Sequence, residues 1–520
     1  MKSTNLADEV NEFFGDQYRL RSLRQRAEQQ HALAPTEQEE VNVITAHWKH
    51  HPAFYRGVRE ELEVLKQYIA SPLSPSPIYS ARTPSGLPPA SQPAAIPRHE
   101  NRTRAPEKKN PKNVISLPLK ELSPKNYFSS SQAEAEHRRI VSEEQKFEAA
   151  LENIVDHHLN GTMDFGRQCS IELIAGYLSG LFGKELYFDS LLSLVQQYAI
   201  ADVPIINDSR KIIGRTGFNL SFFGDPGTGK TFAIKDMILG NPDAGIPAHG
   251  LIGKNRYCGS ITAARFVRMA EAYRDHKFNF IVPEFDDWFR YQGMVNTLKA
   301  AMEGGQIEYE TNNETIGPYQ FKSFFSVNYN TKVSAQDYQT TIGDPHFKAI
   351  EDRMLNNLHR MTKERYEALA HSREKLEKGE LNMSLAEQIQ RQVMLLYAIQ
   401  TSHPKVTENF PALAVMATTE FYDKLARARE LILEPAEHGD SLVHFSPRLE
   451  RRALQLAAAA TLPSYFQQCS SDQRPEYLCL DSSAVKYAMT FFIREAAVRS
   501  RKELNMAMIL QELWGASNGI

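Results

Sequence analysis

The run SFFGDPGTGKTFAIKDM, residues 221–237, constrains the fold of this chain more than any other segment. It contains the P-loop pattern GxxxxGK(S/T), which begins directly after the apolar run NLSFF and leads into a helical pattern. Glycines let such a loop wrap phosphate groups with its backbone N–H groups, and the helix adds its positive end. The sequence therefore predicts a strand, a nucleotide-phosphate loop and a helix in that order.

The predicted phosphate cradle is a run of consecutive residues, two of which have separate tasks. We expect Lys230 to neutralise the β and γ phosphates and the Thr231 hydroxyl to ligate magnesium. The predicted ligands are therefore a nucleotide and Mg2+. The cradle residues are Gly224, Asp225, Pro226, Gly227, Thr228, Gly229, Lys230 and Thr231.

Short apolar runs alternate with helical patterns beyond residue 211. The runs FNLSFF, NFIV and FFSV are separated by segments such as ITAARFVRMAEAYRDH and MVNTLKAAMEG. This alternation is typical of an α/β fold with a parallel sheet flanked by helices.

The segment HKFNFIVPEFDDWFR supplies carboxylates directly after an apolar run. We expect one of Glu284, Asp286 and Asp287 to polarise the water that attacks the γ-phosphate. Proline opposes a central strand that continues through it, so Pro283 predicts that the strand ends at Val282 and favours Glu284 as the base. In the alternative register, Asp286 and Asp287 take the two acidic roles.

Amides and arginines complete the set of candidate site residues. The run SFFSVNYN predicts a strand that ends in Asn328 and Asn330, and an amide there would hold the attacking water or sense the γ-phosphate. Arg353 in KAIEDRMLNN and Arg448 in FSPRLERRAL are cations that a two-layer ATPase with a helical lid needs for transition-state charge. Taken singly, each arginine is more typical of a surface salt bridge.

The order of these motifs resembles that of AAA+ ATPases, and their residues are similar to those of the minichromosome maintenance (MCM) helicase and MoxR-like branch. GDPGTGKT resembles the P-loop of that branch, GSITAA the turn and helix after it, and PEFDDW its acidic motif. LKAAMEGGQIEY is similar to its helix and hairpin, EDRM to its arginine finger and SPRLE to its lid arginine. LDSSAVKYAM looks like the terminal lid helix, so the resemblance covers roughly residues 211–497.

The resemblance implies an AAA+ αβα P-loop core with a C-terminal helical lid, which hydrolyses ATP with Mg2+. It makes Glu284 the catalytic base and Asn328 the sensor. It makes Arg353 the finger that reaches a neighbour's nucleotide, and Arg448 the lid sensor. Shared sites of this kind imply a homo-oligomeric ring, usually a hexamer in such families.

The acidic motif departs from the family at one position. Pro283 stands where the family has its magnesium-associated aspartate. Either Glu284 and Thr231 manage the metal through waters, or Asp286 takes over a metal-binding role.

The predicted hairpin QIEYETNNETIGPYQF also departs from DNA-translocating relatives, which carry a basic tip. Its tip is predicted at Asn312, Asn313 and Glu314, with Glu308 and Glu310 nearby. Carboxylates repel backbone phosphates, so this hairpin is a poor DNA tracker by its own charges. The N-terminal half also lacks a recognisable oligonucleotide-binding barrel or zinc site.

Two functions of different class follow from these features. The motif resemblance favours a ring motor acting on DNA, an MCM-like helicase or translocase of a mobile-element, phage-related or defence process. The hairpin charges favour the alternative, a MoxR-like ATPase that remodels a protein or nucleoprotein partner recruited by the N-terminal module. Pro283 leaves open a third reading, a nucleotide-gated scaffold that barely hydrolyses.

The sequence divides into five predicted segments. Residues 1–70 are expected to form a helical module. The proline-rich, basic stretch after it is expected to form an extended, disordered linker. The basic run in that linker is either a solubilising spacer or a phosphate contact. The predicted segments are 1–70, the linker 71–130, a helical preface 131–210, the AAA+ core 211–365, and the helical lid with C-terminal helices 366–520.

Composition narrows the cellular setting. No apolar run is long enough to span a bilayer and no signal-like N-terminus is present, so we expect a cytoplasmic protein without membrane contact. The net charge of -3 gives no global attraction to nucleic acid. The four cysteines lie far apart without CxxC spacing, and the histidine clusters at 47–51 and 157–158 are expected on helix surfaces or caps rather than on a metal.

Overall fold

The computed structural model describes most of the chain from residue 130 onward and little before it. The two compact units are Met1–Pro124 and Lys125–Ile520. The borders of the predicted segments within Lys125–Ile520 remain predictions. The described residues are 16, 19–20, 23–24, 27, 34–48, 62, 65, 130–290, 293–310, 315–333, 338–340, 342, 346–433, 447–469, 475–499 and 504–515.

In the first unit, one continuous helix is described. This helix, α1, spans Pro35–Trp48 and buries Val41 and Ile44, which lie three residues apart on one face. Most of the amphipathic pattern that predicts a helical module over 1–70 lies outside the described residues. Residues 71–129 of the predicted linker 71–130, and the histidines His50 and His51, also lie outside them.

The second unit contains the remaining described helices. Several begin at a serine or threonine whose hydroxyl accepts a hydrogen bond from the backbone N–H three residues on, namely Ser130, Ser170, Thr262 and Thr362. The α-helices are α2 Ser131–Asn153, α3 Leu159–Gln168, α4 Ile171–Phe182, α5 Tyr187–Ala199, α6 Met237–Leu239, α7 Ala263–Ala270, α8 Met294–Met302, α9 Lys348–Glu351, α10 Lys363–Glu377, α11 Ala386–Gln400, α12 Pro404–Thr407, α13 Thr419–Leu433, α14 Pro447–Thr461, α15 Tyr465–Gln468, α16 Ser482–Arg499 and α17 Met506–Trp514.

Short helical turns of other types link some of these elements. Two are π-helical, Ile154–His158 and Phe232–Asp236, and the second joins the P-loop to α6. The 3-10 turns are Pro242–Ala244, Glu271–Tyr273, Phe285–Phe289 and Leu462–Ser464.

The strands form a main sheet, a smaller sheet and a hairpin. The main sheet has the order β10-β3-β8-β5-β4 with all of these neighbours parallel, and β9 adds an antiparallel pair to β8. This confirms the predicted α/β class with a parallel sheet. The strands are β1 Pro204–Ile206, β2 Ile212–Arg215, β3 Asn219–Gly224, β4 Asn255–Tyr257, β5 Asn279–Val282, β6 Gln306–Glu310, β7 Thr315–Gln320, β8 Phe324–Val333, β9 Tyr338–Thr340, β10 Met354–His359, β11 Ala414–Met416 and β12 Tyr477–Cys479.

Neighbouring side chains of β3 point into two different cores because a strand alternates its faces. Phe222 packs in a core with α4 and α5, whereas Phe223 packs in a second core with α7 and α8. Helices therefore cover both faces of the sheet, and the strand that leads into the P-loop is buried along its whole length.

The part of the chain beyond residue 365 is not entirely helical, and that prediction is wrong at two places. The strands β11 and β12 join β1 and β2 in a four-stranded sheet of order β12-β11-β1-β2. Their central residues, Val415 and Leu478, are fully buried. Strands of three residues are too short to show an alternating pattern in the sequence. The sheet thus joins β1 of the predicted helical preface and β2 of the predicted core to two strands of the predicted lid, so the preface is not entirely helical either.

The predicted hairpin is present as β6 and β7, which pair antiparallel. Ile307, Ile316 and Tyr319 anchor it in the same core as α7 and α8. The predicted tip residues Asn312, Asn313 and Glu314 lie outside the described part of the chain. In that described part, no helix has both the length and the hydrophobicity needed to cross a membrane.

Candidate functional site

The P-loop begins where β3, which lies between β10 and β8, reaches the carboxyl edge of the sheet. Gly224, the last residue of β3, has a φ of +129°. A Cβ atom at this position would lie 2.0 Å from the carbonyl oxygen of His359 on β10. Only glycine fits between the two strands here, which explains the first glycine of the motif.

Lys230 lies at the centre of this loop and is buried. Its Nζ atom donates to the carbonyl oxygens of Gly224 at 3.0 Å and Asp225 at 2.5 Å, and to Asn330 Oδ1 at 3.3 Å. Burial lowers the pKa of the Lys230 ammonium, and the nearby charges of Asp225 and Asp286 offset this only in part. A bound phosphate would supply the close anionic partner that favours the charged form.

The predicted magnesium ligand and the predicted sensor are in direct contact. Asn328 Nδ2 donates to Thr231 Oγ1 at 3.0 Å. The strand register produces this contact, because Phe222 of β3 pairs with Asn328 of β8. The amides Asn328 and Asn330 lie within β8 rather than at its end, since the strand continues to Val333 and pairs there with β9.

A cavity of about 340 Å3 lies against the P-loop. The predicted base Glu284 reaches it from the end of β5, which stops at Val282 as the proline predicts. The glutamate is exposed and precedes the 3-10 turn that follows the strand. The cavity is lined by Pro226, Gly227, Thr228, Gly229, Lys230, Thr231, Phe232, Glu284, Asn328 and Asn330.

The other two carboxylates of the acidic motif do not line the cavity, although the charge of Asp286 lies near Lys230. Asp286 is not among the residues that line the cavity, and its Oδ2 accepts a hydrogen bond from the backbone N–H of Asn330 at 3.4 Å. Asp287 pairs with Arg290 at 2.6 Å. This placement supports the register in which Glu284, rather than Asp287, is the base.

The donor set at the cavity fits a hard divalent cation. Thr231 contributes a hydroxyl and Glu284 a carboxylate, and Mg2+ prefers oxygen ligands of this kind. Across the described residues, no group of three or more His, Cys, Asp and Glu side chains is placed to hold a metal by itself. Magnesium at this site would therefore depend on nucleotide phosphates and water for the rest of its coordination, as is usual for this ion.

The two predicted arginines lie at the opposite edge of the sheet. Arg353 directly precedes Met354, which pairs with Asn219 at the start of β3, whereas the P-loop follows the end of β3. At about 3.3 Å per residue, the six-residue strand separates the two edges by roughly 17 Å. Arg353 therefore does not reach the cavity of its own chain.

Arg448, the predicted lid sensor, lies beside Arg353 rather than at the cavity. Both guanidinium groups contact Glu303 Oε1, Arg353 through Nη2 at 2.6 Å and Arg448 through Nη2 at 3.2 Å. Arg448 Nη1 also lies 3.1 Å from Asp352 Oδ2. The structure thus groups Lys230, Thr231, Glu284 and Asn328 at one edge and the two arginines at the other.

A third arginine donates hydrogen bonds to the backbone of the P-loop. Arg365, in the first turn of α10, donates from Nη2 and Nε to the Thr228 carbonyl oxygen at 2.7 and 3.1 Å. Its Nη2 also lies 2.6 Å from Asp189 Oδ2 on α5 and 3.0 Å from His359 Nδ1 on β10. These contacts connect the loop to two elements of the core.

The charge balance of this cluster rests on Arg365. Burial would raise the pKa of Asp189, but the charges and hydrogen bonds of His359 and Arg365 outweigh it, and the pKa is lowered. Burial lowers the pKa of His359, and the Asp189 carboxylate 3.2 Å away offsets this only in part, so the one permanent positive charge beside Asp189 is that of Arg365.

Sequence reasoning missed this cluster because no motif marks it. The available signal was a single aspartate inside the otherwise apolar helix pattern ELYFDSLLSLV. An acidic residue in a buried helix requires a partner, so Asp189 predicts a cation without identifying it.

We expect Arg365→Met to destabilise the protein strongly, because it leaves the Asp189 carboxylate buried without its permanent cation. Removing one partner of a buried ion pair costs about 3–5 kcal/mol. The thermal unfolding temperature should fall by several degrees, and the affinity for a non-hydrolysable nucleotide should fall with it. Arg373→Met, on the exposed face of the same helix, is the matched control and should leave both unchanged.

A double variant separates loss of the pair from loss of packing. Asp189→Leu combined with Arg365→Met removes both charges and should be more stable than Arg365→Met alone. A double variant that is no more stable than Arg365→Met would contradict the assigned charge balance.

Comparison with known proteins gives no match, either to a protein family or to a curated sequence.

Proposed function

We propose that this chain is an ATP-hydrolysing AAA+ motor, similar to the MCM and MoxR-like branch, whose active sites form between copies of the chain. One observation carries the proposal. Lys230, Thr231, Glu284 and Asn328 surround one cavity at the carboxyl edge of a parallel sheet, whereas the candidate arginines lie together at the opposite edge.

The residues at the cavity suit hydrolysis of the γ-phosphate by water. The P-loop backbone and Lys230 would hold the phosphates, and Glu284 would accept the proton of the attacking water. Asn328 would orient the Thr231 hydroxyl through the hydrogen bond that already joins them. Magnesium, when bound with ATP, neutralises charge that develops on the phosphates.

The distance between the two edges supports a shared site. A cation that stands roughly 17 Å from its own cavity along β3 acts on phosphate only if another copy presents its cavity there. An interface that joins one edge of a chain to the other edge of the next is head-to-tail, and it closes into a ring when the rotation allows. The family resemblance suggests a hexamer.

Arg353→Ala is expected to retain nucleotide binding and to lose hydrolysis. The guanidinium stabilises charge only in the transition state of a neighbouring site, and arginine fingers contribute about 10³–10⁵-fold to the rate. The measurement is kcat together with the dissociation constant of a non-hydrolysable ATP analogue. Arg451→Ala, at an exposed position on α14, is the control and should keep both values. An Arg353→Ala chain with normal kcat would contradict the assigned role.

The work driven by hydrolysis has two candidate forms. The motif resemblance over 211–497 supports a motor that acts on DNA, as a helicase or translocase. The hairpin supports a second candidate, remodelling of a protein or nucleoprotein, because its described strands carry the exposed carboxylates Glu308 and Glu310 and no basic residue. These carboxylates would repel the DNA backbone.

DNA stimulation of hydrolysis distinguishes the two forms. A DNA motor predicts that single- or double-stranded DNA raises the ATPase rate several-fold, and that the effect weakens as salt increases. Lys230→Ala measured with the same DNA gives the background. Absence of both stimulation and salt-sensitive DNA binding would exclude the DNA motor and leave the remodelling ATPase.

A further inference from the structure

One carboxylate, Glu303, holds both arginines that the proposed function assigns to a neighbour's nucleotide. Its Oε1 lies 2.6 Å from Arg353 Nη2 and 3.2 Å from Arg448 Nη2. In a single chain, both cations therefore already pair with one internal anion, and Arg448 pairs with Asp352 as well. A neighbour's phosphates would have to replace that anion.

Other contacts keep the two arginines in place independently of Glu303. Arg353 Nη1 donates to the Ala349 carbonyl oxygen. Arg448 Nη1 donates to Asp352 Oδ2 at 3.1 Å, and Arg452, one turn later on α14, donates to the Asp352 carbonyl oxygen at 2.8 Å. Removing the charge of Glu303 would thus leave both guanidinium groups where they are, without their shared counter-ion.

The position of Glu303 makes its hold on the arginines weak enough to exchange. It is the C-cap of α8, where the negative end of the helix disfavours a carboxylate. Its side chain is 47% exposed, so water and competing anions reach it. The pair with Arg448, whose side chain is 48% exposed, is a weak surface ion pair, whereas the pair with Arg353 is more buried because that side chain is 12% exposed. Phosphate oxygens compete with Glu303 for both because arginine binds them in a bidentate, charge-assisted geometry.

The same residue lies at the base of the hairpin. Gly304 and Gly305 separate it from β6, and the backbone N–H of Gly305 closes α8 by donating to the Ala300 carbonyl oxygen at 3.0 Å. Gln320 of β7 donates from Nε2 to the Gly304 carbonyl oxygen at 3.1 Å. Release of Glu303 would therefore act directly on the segment that positions the hairpin.

We infer that Glu303 restrains assembly: it holds Arg353 and Arg448 in the free chain and gives them up to the nucleotide phosphates of a neighbouring copy. The inference rests on the proposed function. It adds an internal competitor to the shared site, and it links occupation of that site to the base of the hairpin.

The test is the ATPase rate per chain as a function of protein concentration for Glu303→Gln. Without the internal anion, the half-maximal concentration should fall about two- to fivefold, as the loss of the surface ion pair with Arg448 predicts, while the maximal rate stays the same. Glu303→Asp, which keeps the charge but shortens the reach, should shift the midpoint in the same direction by less. Glu450→Gln is the control, because Glu450 pairs with Arg429 on α13 rather than with Arg448.

An unchanged or higher midpoint in both Glu303 variants, with normal thermal unfolding, would overturn the restraint. A lower maximal rate at saturating protein would overturn it as well, because Glu303 would then position the arginines for catalysis. A wild-type chain without Lys230-dependent hydrolysis would refute the proposed function itself, and the restraint with it. That result comes from the wild-type and Lys230→Ala proteins alone, so the two failures are distinguishable.

Discussion

Lys230→Ala is expected to reduce ATP hydrolysis to background. The Lys230 ammonium is the buried cation of the P-loop, and in the structure carbonyl and amide oxygens hold it at the cavity wall. Loss of a preorganised group that stabilises transition-state charge costs about 10²–10³ in kcat, and this group also binds the ground-state phosphates. Both kcat and nucleotide affinity should therefore fall.

The matched control is Lys235→Ala, five positions along the same helical segment. Lys235 contacts Asp236 at 3.7 Å and lies 5.6 Å from the centre of the Tyr257 ring, away from the cavity lining. Its removal should leave hydrolysis unchanged. Equal activity of the Lys230→Ala and wild-type proteins would show that hydrolysis, if observed, occurs elsewhere.

Glu284→Gln is expected to separate binding from chemistry. The glutamine keeps the size of the side chain but cannot accept a proton from water, and a general base contributes about 10²–10⁴-fold to the rate. ATP should remain bound while kcat falls by that factor. The measurement is single-turnover hydrolysis alongside the affinity for ATP.

Asp287→Asn reports on the alternative register, in which Asp286 and Asp287 take the two acidic roles. Asp286 accepts from the backbone of Asn330 and Asp287 pairs with Arg290, so neither is expected to act as the base. Asp287→Asn should hydrolyse ATP normally. If Asp287→Asn loses hydrolysis while Glu284→Gln keeps it, the alternative register of the acidic motif is the correct one.

The features that the sequence predicted correctly are those with a local cause. Proline cannot continue a central strand, so the end of β5 at Val282 followed from Pro283. The buried strand before the P-loop followed from its apolar pattern, whereas the hairpin of β6 and β7 was implied by the family resemblance.

The features that it missed depend on contacts between distant segments. The strand β11 pairs with β1, more than two hundred positions earlier in the chain, and three residues carry no readable period. The support of the P-loop by Arg365 needs Asp189 and His359 from two other elements, and no local spacing encodes it. The pairing of Arg353 and Arg448 at Glu303 likewise appears only in the folded chain.

Mixing two inactive variants tests the shared site most directly. Lys230→Ala removes the phosphate-binding edge and Arg353→Ala removes the arginine edge, so each protein alone should be inactive. In mixed assemblies, a chain with an intact cavity can meet a neighbour with an intact arginine, and hydrolysis should reappear as a fraction of the wild-type rate. A mixture that stays inactive, although the two variants assemble together, would contradict an active site formed between copies.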